Sequence, residues 1–221
     1  MRRAYLLEFL GTFVIVFITC GAILVNNFYG DIGTVGIALV FGLSYMAMMS
    51  ATVHVSGGHL NPVVTLALWL ARKISTTTFI FFLLFQLLAS FAAGGLLLYI
   101  FGEQGMKFYL GGPVLGFGVT QQMAVIIEAT LAAILVFAYF ATMVDKRGPV
   151  SFAPLVLGLV VVAEAIFATQ LTGAAINPAR AIGPLVVSKS YSDLVVFILG
   201  GSLGSIIGVV YDLLFLKTKK K

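Results

Sequence analysis

Six stretches of the 221-residue chain, roughly 5–26, 34–54, 79–101, 122–144, 152–169 and 193–215, are almost wholly apolar. A helix crossing the hydrocarbon core of a bilayer needs about 20 mainly apolar residues, so the chain has the material for six crossings and little else. Its composition agrees: 61% of residues are apolar and 10% charged, against about 45–50% and about 25% in soluble domains. A water-soluble globule, a disordered tail and a nucleic-acid module are not built this way. The net charge of +5 does not change that, because the basic residues sit in breaks between apolar runs and not on one folded face with interleaved aromatics. Arg2, Arg3, Arg72, Lys73, Lys146, Arg147 and the terminal Lys217, Lys219, Lys220 and Lys221 fall on one side of a six-span topology, with only Lys107 and Lys189 opposite. Lys and Arg mark cytoplasmic loops, so both termini are expected inside, with the protein in the cell membrane. The first stretch reads as a retained helix and not a cleaved signal, since no small-residue cleavage site follows it. The single cysteine, Cys20, lies inside that stretch, cannot form an intrachain disulfide and is expected to be plain packing.

Two segments, 55–72 and 170–187, are left unused by the six spans and are too short to cross. Each holds small polar residues, then Asn-Pro, then a short apolar run: Ser56-Gly57-Gly58-His59-Leu60-Asn61-Pro62-Val63 and Thr172-Gly173-Ala174-Ala175-Ile176-Asn177-Pro178-Ala179. At an offset of 116 they match at Gly57/Gly173, Asn61/Asn177 and Pro62/Pro178, and upstream at Gly42-Leu43/Gly158-Leu159. The chain reads as a duplicated half, 1–110 and 111–221, within one transmembrane domain. Three spans per half is an odd number, so the second half enters the membrane from the opposite side and the repeat is inverted.

Non-helical backbone survives at bilayer depth only when buried in protein or lining water, because each unpaired group costs several kcal/mol in hydrocarbon. Gly57, Gly58 and Gly173 permit close-packed, irregular backbone. Asn61 and Asn177 suit the N-cap of a helix, and Pro62 and Pro178 suit its first turn, where the missing N–H costs nothing. Each segment is therefore expected to descend to mid-membrane and turn there into a half-helix pointing its N-terminus inward. Two such ends place about half a positive unit each at one point, which repels cations, hydronium included. Two Asn amides there donate to the oxygen of a neutral molecule, and the carbonyls of Gly57, Gly58, His59, Gly173, Ala174 and Ala175 supply acceptors along the path. Such a site passes water while interrupting a proton wire.

The paired boxes, with Glu8 in Glu-Phe-Leu-Gly-Thr-Phe, Phe41-Gly42-Leu43-Ser44, Glu128 and Asn177-Pro178-Ala179-Arg180, make the chain resemble the aquaporin, or major intrinsic protein, family over essentially its whole length. Its shortness makes it most similar to archaeal members. The resemblance implies an all-α membrane fold of six transmembrane helices and two re-entrant half-helices, a homotetramer embedded in lipid, and passage of water and small neutral solutes such as glycerol or dissolved gases. It places Asn61, Pro62, Val63, Asn177, Pro178 and Ala179 at the pore centre, His59 in its cytoplasmic half, and Phe41, Ala165, Ala174 and Arg180 at the outer constriction. It gives Glu8 and Glu128 the task of holding the descending loops through backbone N–H groups. The chain departs from the family pattern at three places. Ala165 stands where strict water channels have His, Ala174 stands where glycerol channels keep an aromatic close by, and Val63 replaces Ala after the first Asn-Pro. A wide, weakly polar constriction follows.

Two other readings are weighed. A glycerol-type facilitator is favoured by Ala165 and disfavoured by the short outer loop 184–191 and by Ala181, where Asp is expected. An ion-coupled transporter also uses inverted repeats and broken helices, but needs a titratable coupling site, for which Glu164 is the free candidate. Glu164 has no family counterpart, and lining the pore, pairing with a neighbouring subunit and reaching a loop backbone all stand open for it. His54 is expected to pack or bond a loop. Gly200, Gly204 and Gly208 recur every fourth residue, a pattern that lets helices approach closely. No phosphate loop, nucleophile elbow, cofactor site or metal signature is present in the sequence, so no catalysis is expected.

Overall fold

The computed structural model describes residues 2–216, all of whose regular structure is helical. Lys217, Lys219, Lys220 and Lys221, expected to anchor the C-terminus, lie outside the described residues. In chain order the elements are α1 (Arg2–Tyr29), α2 (Gly33–Ser56), the short α3 (Pro62–Leu70), α4 (Thr76–Lys107), α5 (Gln121–Tyr139), α6 (Ala153–Thr172), the short α7 (Pro178–Val187), α8 (Leu194–Gly204) and α9 (Ile207–Tyr211). A π-turn at Phe140–Val144 extends α5, and another at Asp212–Leu216 extends α9. Six helical spans are long and apolar enough to cross a membrane, the last being Leu194–Leu216. The expected spans fall inside them save for Asp193, which precedes α8, and the two leftover segments carry the short helices α3 and α7.

The boundaries follow from local chemistry. Ser75 caps α4 by accepting from Thr78 N at 3.1 Å, and Thr120 caps α5 by accepting from Met123 N at 3.2 Å. Gly57 and Gly173 close α2 and α6 in the left-handed conformation, at φ 88° and 74°. That conformation costs a side-chain-bearing residue roughly 1–2 kcal/mol, which glycine avoids.

Small residues set the distances between helices. Gly42 of α2 and Gly158 of α6, matched in the sequence repeat, meet across the middle of the bundle. A methyl on Gly42 would collide with the Gly158 carbonyl, and one on Gly158 with Met46 and the Gly42 carbonyl. Gly200 and Gly204 lie against Glu128, Ala129 and Ala132 of α5, and Gly208 lies under the Phe140 ring. The core between these helices is apolar, with Phe41, Met49, Leu60, Val63, Leu135 and Ala165 among its members. Large apolar side chains such as Leu6, Leu10, Leu84, Leu88, Leu199 and Leu203 are exposed on the outer faces, where acyl chains would cover them at no hydrophobic cost.

One end of the bundle is tied by ions. The Arg147 guanidinium donates to Asp145 at 2.5 and 2.9 Å and to the Phe215 carbonyl at 3.1 Å, while Tyr211 Oη donates to Asp145 at 3.3 Å. Lys73, just beyond α3, pairs with Asp212 at 2.5 Å. Both pairs bind loops to the C-terminal turn. The Arg147 fork and its backbone N–H hold the Asp145 carboxyl well below the usual carboxylate range.

Two outcomes are expected. Gly42→Ala should destabilise the protein by about 1–3 kcal/mol, the ordinary cost of overpacking. Gly95→Ala, with open space around it, should change little; equal thermal midpoints in detergent would refute the close-contact assignment. Secondly, a carboxyl whose folded pKa is lowered contributes stability above its unfolded pKa, about 4, and loses it as pH falls through the folded value. The gap in thermal midpoint between wild type and Asp145→Asn is thus expected to be full at neutral pH and to close on acidification.

Candidate functional site

The two loops that precede α3 and α7 have the same backbone. Gly57, Gly58 and Leu60 take φ of 88°, 64° and 50°, and their partners 116 positions on, Gly173, Ala174 and Ile176, take 74°, 46° and 56°. Asn61 and Asn177 then turn extended, and each caps its own half-helix by accepting from the N–H two residues ahead, Val63 N at 2.9 Å and Ala179 N at 3.0 Å. Left-handed Leu60, Ala174 and Ile176 are strained, and such backbone persists only where its surroundings over-determine it.

Two buried carboxylates supply that determination. Glu8 Oε1 accepts from Ser56 Oγ at 2.6 Å and His59 N at 3.0 Å, and Oε2 accepts from Leu60 N at 2.7 Å and Gln86 Nε2 at 2.8 Å. Glu128 Oε1 accepts from Thr172 Oγ1 at 2.6 Å and Ala175 N at 2.9 Å, and Oε2 accepts from Ile176 N at 2.8 Å. Ser56/Thr172, His59/Ala175 and Leu60/Ile176 are pairs at the same 116-residue offset, so the second carboxylate repeats the first one's work. Two serines hold the half-helices: Ser205 Oγ, in the turn between α8 and α9, donates to Val63 O at 3.0 Å, and Ser90 Oγ of α4 donates to Ala179 O while accepting from Gly183 N at 2.7 Å.

The loop tips meet. Asn61 Nδ2 donates to Ile176 O at 3.2 Å, and Asn177 Nδ2 donates to Leu60 O at 2.9 Å. Each amide has two N–H groups, so one is spent on the opposite loop and one is left over. A cavity of about 20 Å³ opens beside the tips, lined by Thr19, Phe41, Tyr45, Asn61, Asn177 and Arg180 among others; that is room for about one water. Arg180 is 2% exposed. Its guanidinium lies 4.4 Å from the Phe41 ring centre, and none of its three side-chain nitrogens has a protein partner among the described residues. An aromatic face attracts the cation without using up its N–H groups, which stay free for a molecule in the cavity.

Ala165 and Ala174 are fully buried but do not line this cavity; Val161 and Ala175 do. Of the carbonyls named from sequence, Gly57 O accepts from Tyr139 Oη at 2.8 Å, His59 O from Tyr45 Oη at 3.4 Å, and Ala175 O from Asn177 N. The carbonyls that face the Asn amides belong to Leu60 and Ile176, which sequence reasoning passed over. It also passed over Thr19, Tyr45 and Val161, of which Tyr45 is one helical turn beyond Phe41 and Val161 one turn before Ala165, a signal that i to i+4 spacing carries. The His59 ring lies 3.2 Å from Thr65 Oγ1 through Nδ1 and packs on Phe82 and Tyr139. His54, expected to pack or bond a loop, is instead exposed on α2. Cys20 of α1 is fully buried against α4, with Leu24, Ala93 and Leu97 in its cluster. No group of three or more His, Cys, Asp or Glu that could hold a metal occurs among the described residues.

The model for the family described as Major intrinsic protein matches residues 1–211. The chain belongs to this family. It is 37% identical to Aquaporin TIP4-4 of Zea mays, over 97% of this chain and 87% of the relative, and 32% identical to Aquaporin Z of Photorhabdus laumondii, over 97% and 98%. The X-ray structure of the aquaglyceroporin from Plasmodium falciparum superposes with a TM-score of 0.84 at 21% identity, covering 97% of this chain and 96% of that one, which establishes a common fold. As a major intrinsic protein the chain is a passive channel for water and small neutral solutes, and not an enzyme.

Removing Glu128 would strand three donors in a dry interior, at about 1–3 kcal/mol each. Glu128→Ala is expected to lower the thermal midpoint and abolish water flux in liposomes, whereas Glu103→Ala, at an exposed position, should do neither. Normal flux through Glu128→Ala would refute the anchoring role.

Proposed function

We propose that molecules pass in single file across the loop tips, taking hydrogen bonds from the spare N–H groups of Asn61 and Asn177. The observation that supports this reading is the pair of crossed bonds, Asn61 to Ile176 O and Asn177 to Leu60 O, which sets both amides at one point with their orientations fixed. A water oxygen receiving both amides turns its hydrogens outward, so the chain of waters cannot relay a proton there. The two helix N-termini add about half a positive unit each, and Arg180 adds a full one, so cations are turned away. Pro62, Val63, Pro178 and Ala179 form the first turns behind the tips. The halves 1–110 and 111–221 act as inverted repeats, and the loop carbonyls of Gly57, Gly58, His59, Gly173, Ala174 and Ala175 offer lone pairs along the two approaches.

In this reading Phe41 and Arg180 form the constriction, with Ala165 and Ala174 leaving it wide. A small residue in place of His lowers both the steric and the polar barrier, so glycerol passes alongside water; Ala165 is the observation that favours this second solute. The working unit is a homotetramer with one pore per subunit, set in the lipid of the cell membrane with both termini cytoplasmic.

Stopped-flow light scattering on liposomes carrying the purified protein tests the reading. Shrinkage under an impermeant osmolyte reports water, and swelling in glycerol reports the larger solute. Ala165→His is expected to cut glycerol flux by about tenfold or more, the scale on which pocket size discriminates, and water flux by much less. Equal losses would remove Ala165 from the constriction.

A further inference from the structure

Three carboxylates are buried near the middle of the bundle, and they are not alike. Glu8 receives four hydrogen bonds and Glu128 three. Glu164 is 4% exposed, yet neither of its carboxyl oxygens has a hydrogen-bond partner among the described residues. A buried carboxyl without a partner costs several kcal/mol, and no hydrogen bond among the described residues offsets it here. Glu164 lies three residues after Val161, which lines the cavity, on the buried face that also carries Ala165 and Ala168; Ile166 and Phe167 point outward, 49% and 62% exposed. Tyr45 of α2, another cavity-lining residue, belongs to the same buried cluster as Val161, Ala165 and Ala168. The matching position 116 residues earlier holds Met48, an apolar side chain packed on the core, so this group is not part of the symmetrical scaffold.

The geometry points to Glu164 as a solute-selecting residue: its free carboxyl is a hydrogen-bonding station on the channel wall for a neutral solute that presents two donors at once, a diol or an amide. This inference rests on the channel reading above and adds to it a residue outside the constriction. The two oxygens of a carboxylate can take two O–H or N–H groups side by side, while Val161, one turn before it and lining the cavity, suits the solute's C–H edge. A polyol stripped of water in this apolar stretch of wall would recover two hydrogen bonds, each worth a factor of about 2–10.

Glycerol and urea are the probes, each measured against water in the same liposomes, for wild type, Glu164→Gln and Glu164→Leu. Glu164→Leu is expected to lower the solute-to-water permeability ratio for glycerol, urea or both by about fivefold or more, and Glu164→Gln, which keeps one of the two acceptors, to lower it by less, about two- to threefold. The thermal midpoint of Glu164→Leu should stay level or rise, since an apolar side chain relieves an unpartnered buried carboxyl. An unchanged ratio in Glu164→Leu, equal loss of solute and water, or a fall in midpoint or in oligomer mass overturns the proposal, the last by showing a structural partner. Wild-type liposomes that pass water but neither probe also overturn it while leaving the channel reading intact; liposomes that pass nothing would sink the channel reading itself.

Discussion

Irregular backbone at the depth of a bilayer's hydrocarbon core is the constraint on which the rest of this structure depends. Unpaired N–H groups there cost several kcal/mol each, and the two loops bear several. Glu8 and Glu128 resolve the problem by placing acceptors where no neighbouring strand or turn could. Each carboxylate bonds two consecutive odd N–H groups of its loop and the hydroxyl at the loop's start. The loops can then hold left-handed residues other than glycine, Leu60 and Ile176 included, whose carbonyls are thereby turned to meet the opposite asparagine.

The crossed asparagine bonds are a consequence of that anchoring and in turn lock the two halves together. An Asn side chain offers one acceptor and two donors. Its oxygen is committed to its own half-helix and one hydrogen to the other loop, so the remaining hydrogen has a fixed direction. A site of this kind is pre-organised: little has to move when a molecule arrives. Gly42 and Gly158, in contact at the bundle's middle, and Ser90 and Ser205, each reaching a box residue of the other half, extend the same interlocking outward.

Polarity along the cavity is uneven. Arg180 and the Asn tips supply donors, Tyr45 gives its hydroxyl to the His59 carbonyl, and Ile15, Leu135 and Val161 supply hydrocarbon. In the proposed reading a neutral solute with one polar edge meets complementary surface on both sides, whereas an ion meets the positive ends of two half-helices and a guanidinium that pairs with no carboxylate among the described residues.

Much of this was legible in the chain itself. Long apolar runs gave the six crossings because the bilayer permits few structures, and the Asn-Pro boxes gave α3 and α7 because capping and φ are local properties of a residue and its next few neighbours. The register at an offset of 116 singled out Gly42 and Gly158 before any contact between them was visible. Partners across space were another matter. That Leu60 and Ile176 face the amides, that Tyr45 and Thr19 line the cavity, that His54 is exposed, and that Glu164 is buried without a partner all depend on how helices distant in sequence come together. Sequence determined which groups must be satisfied; only the tertiary structure decided by whom, since a hydrogen bond is set by distance and direction between atoms that here stand more than a hundred residues apart along the chain.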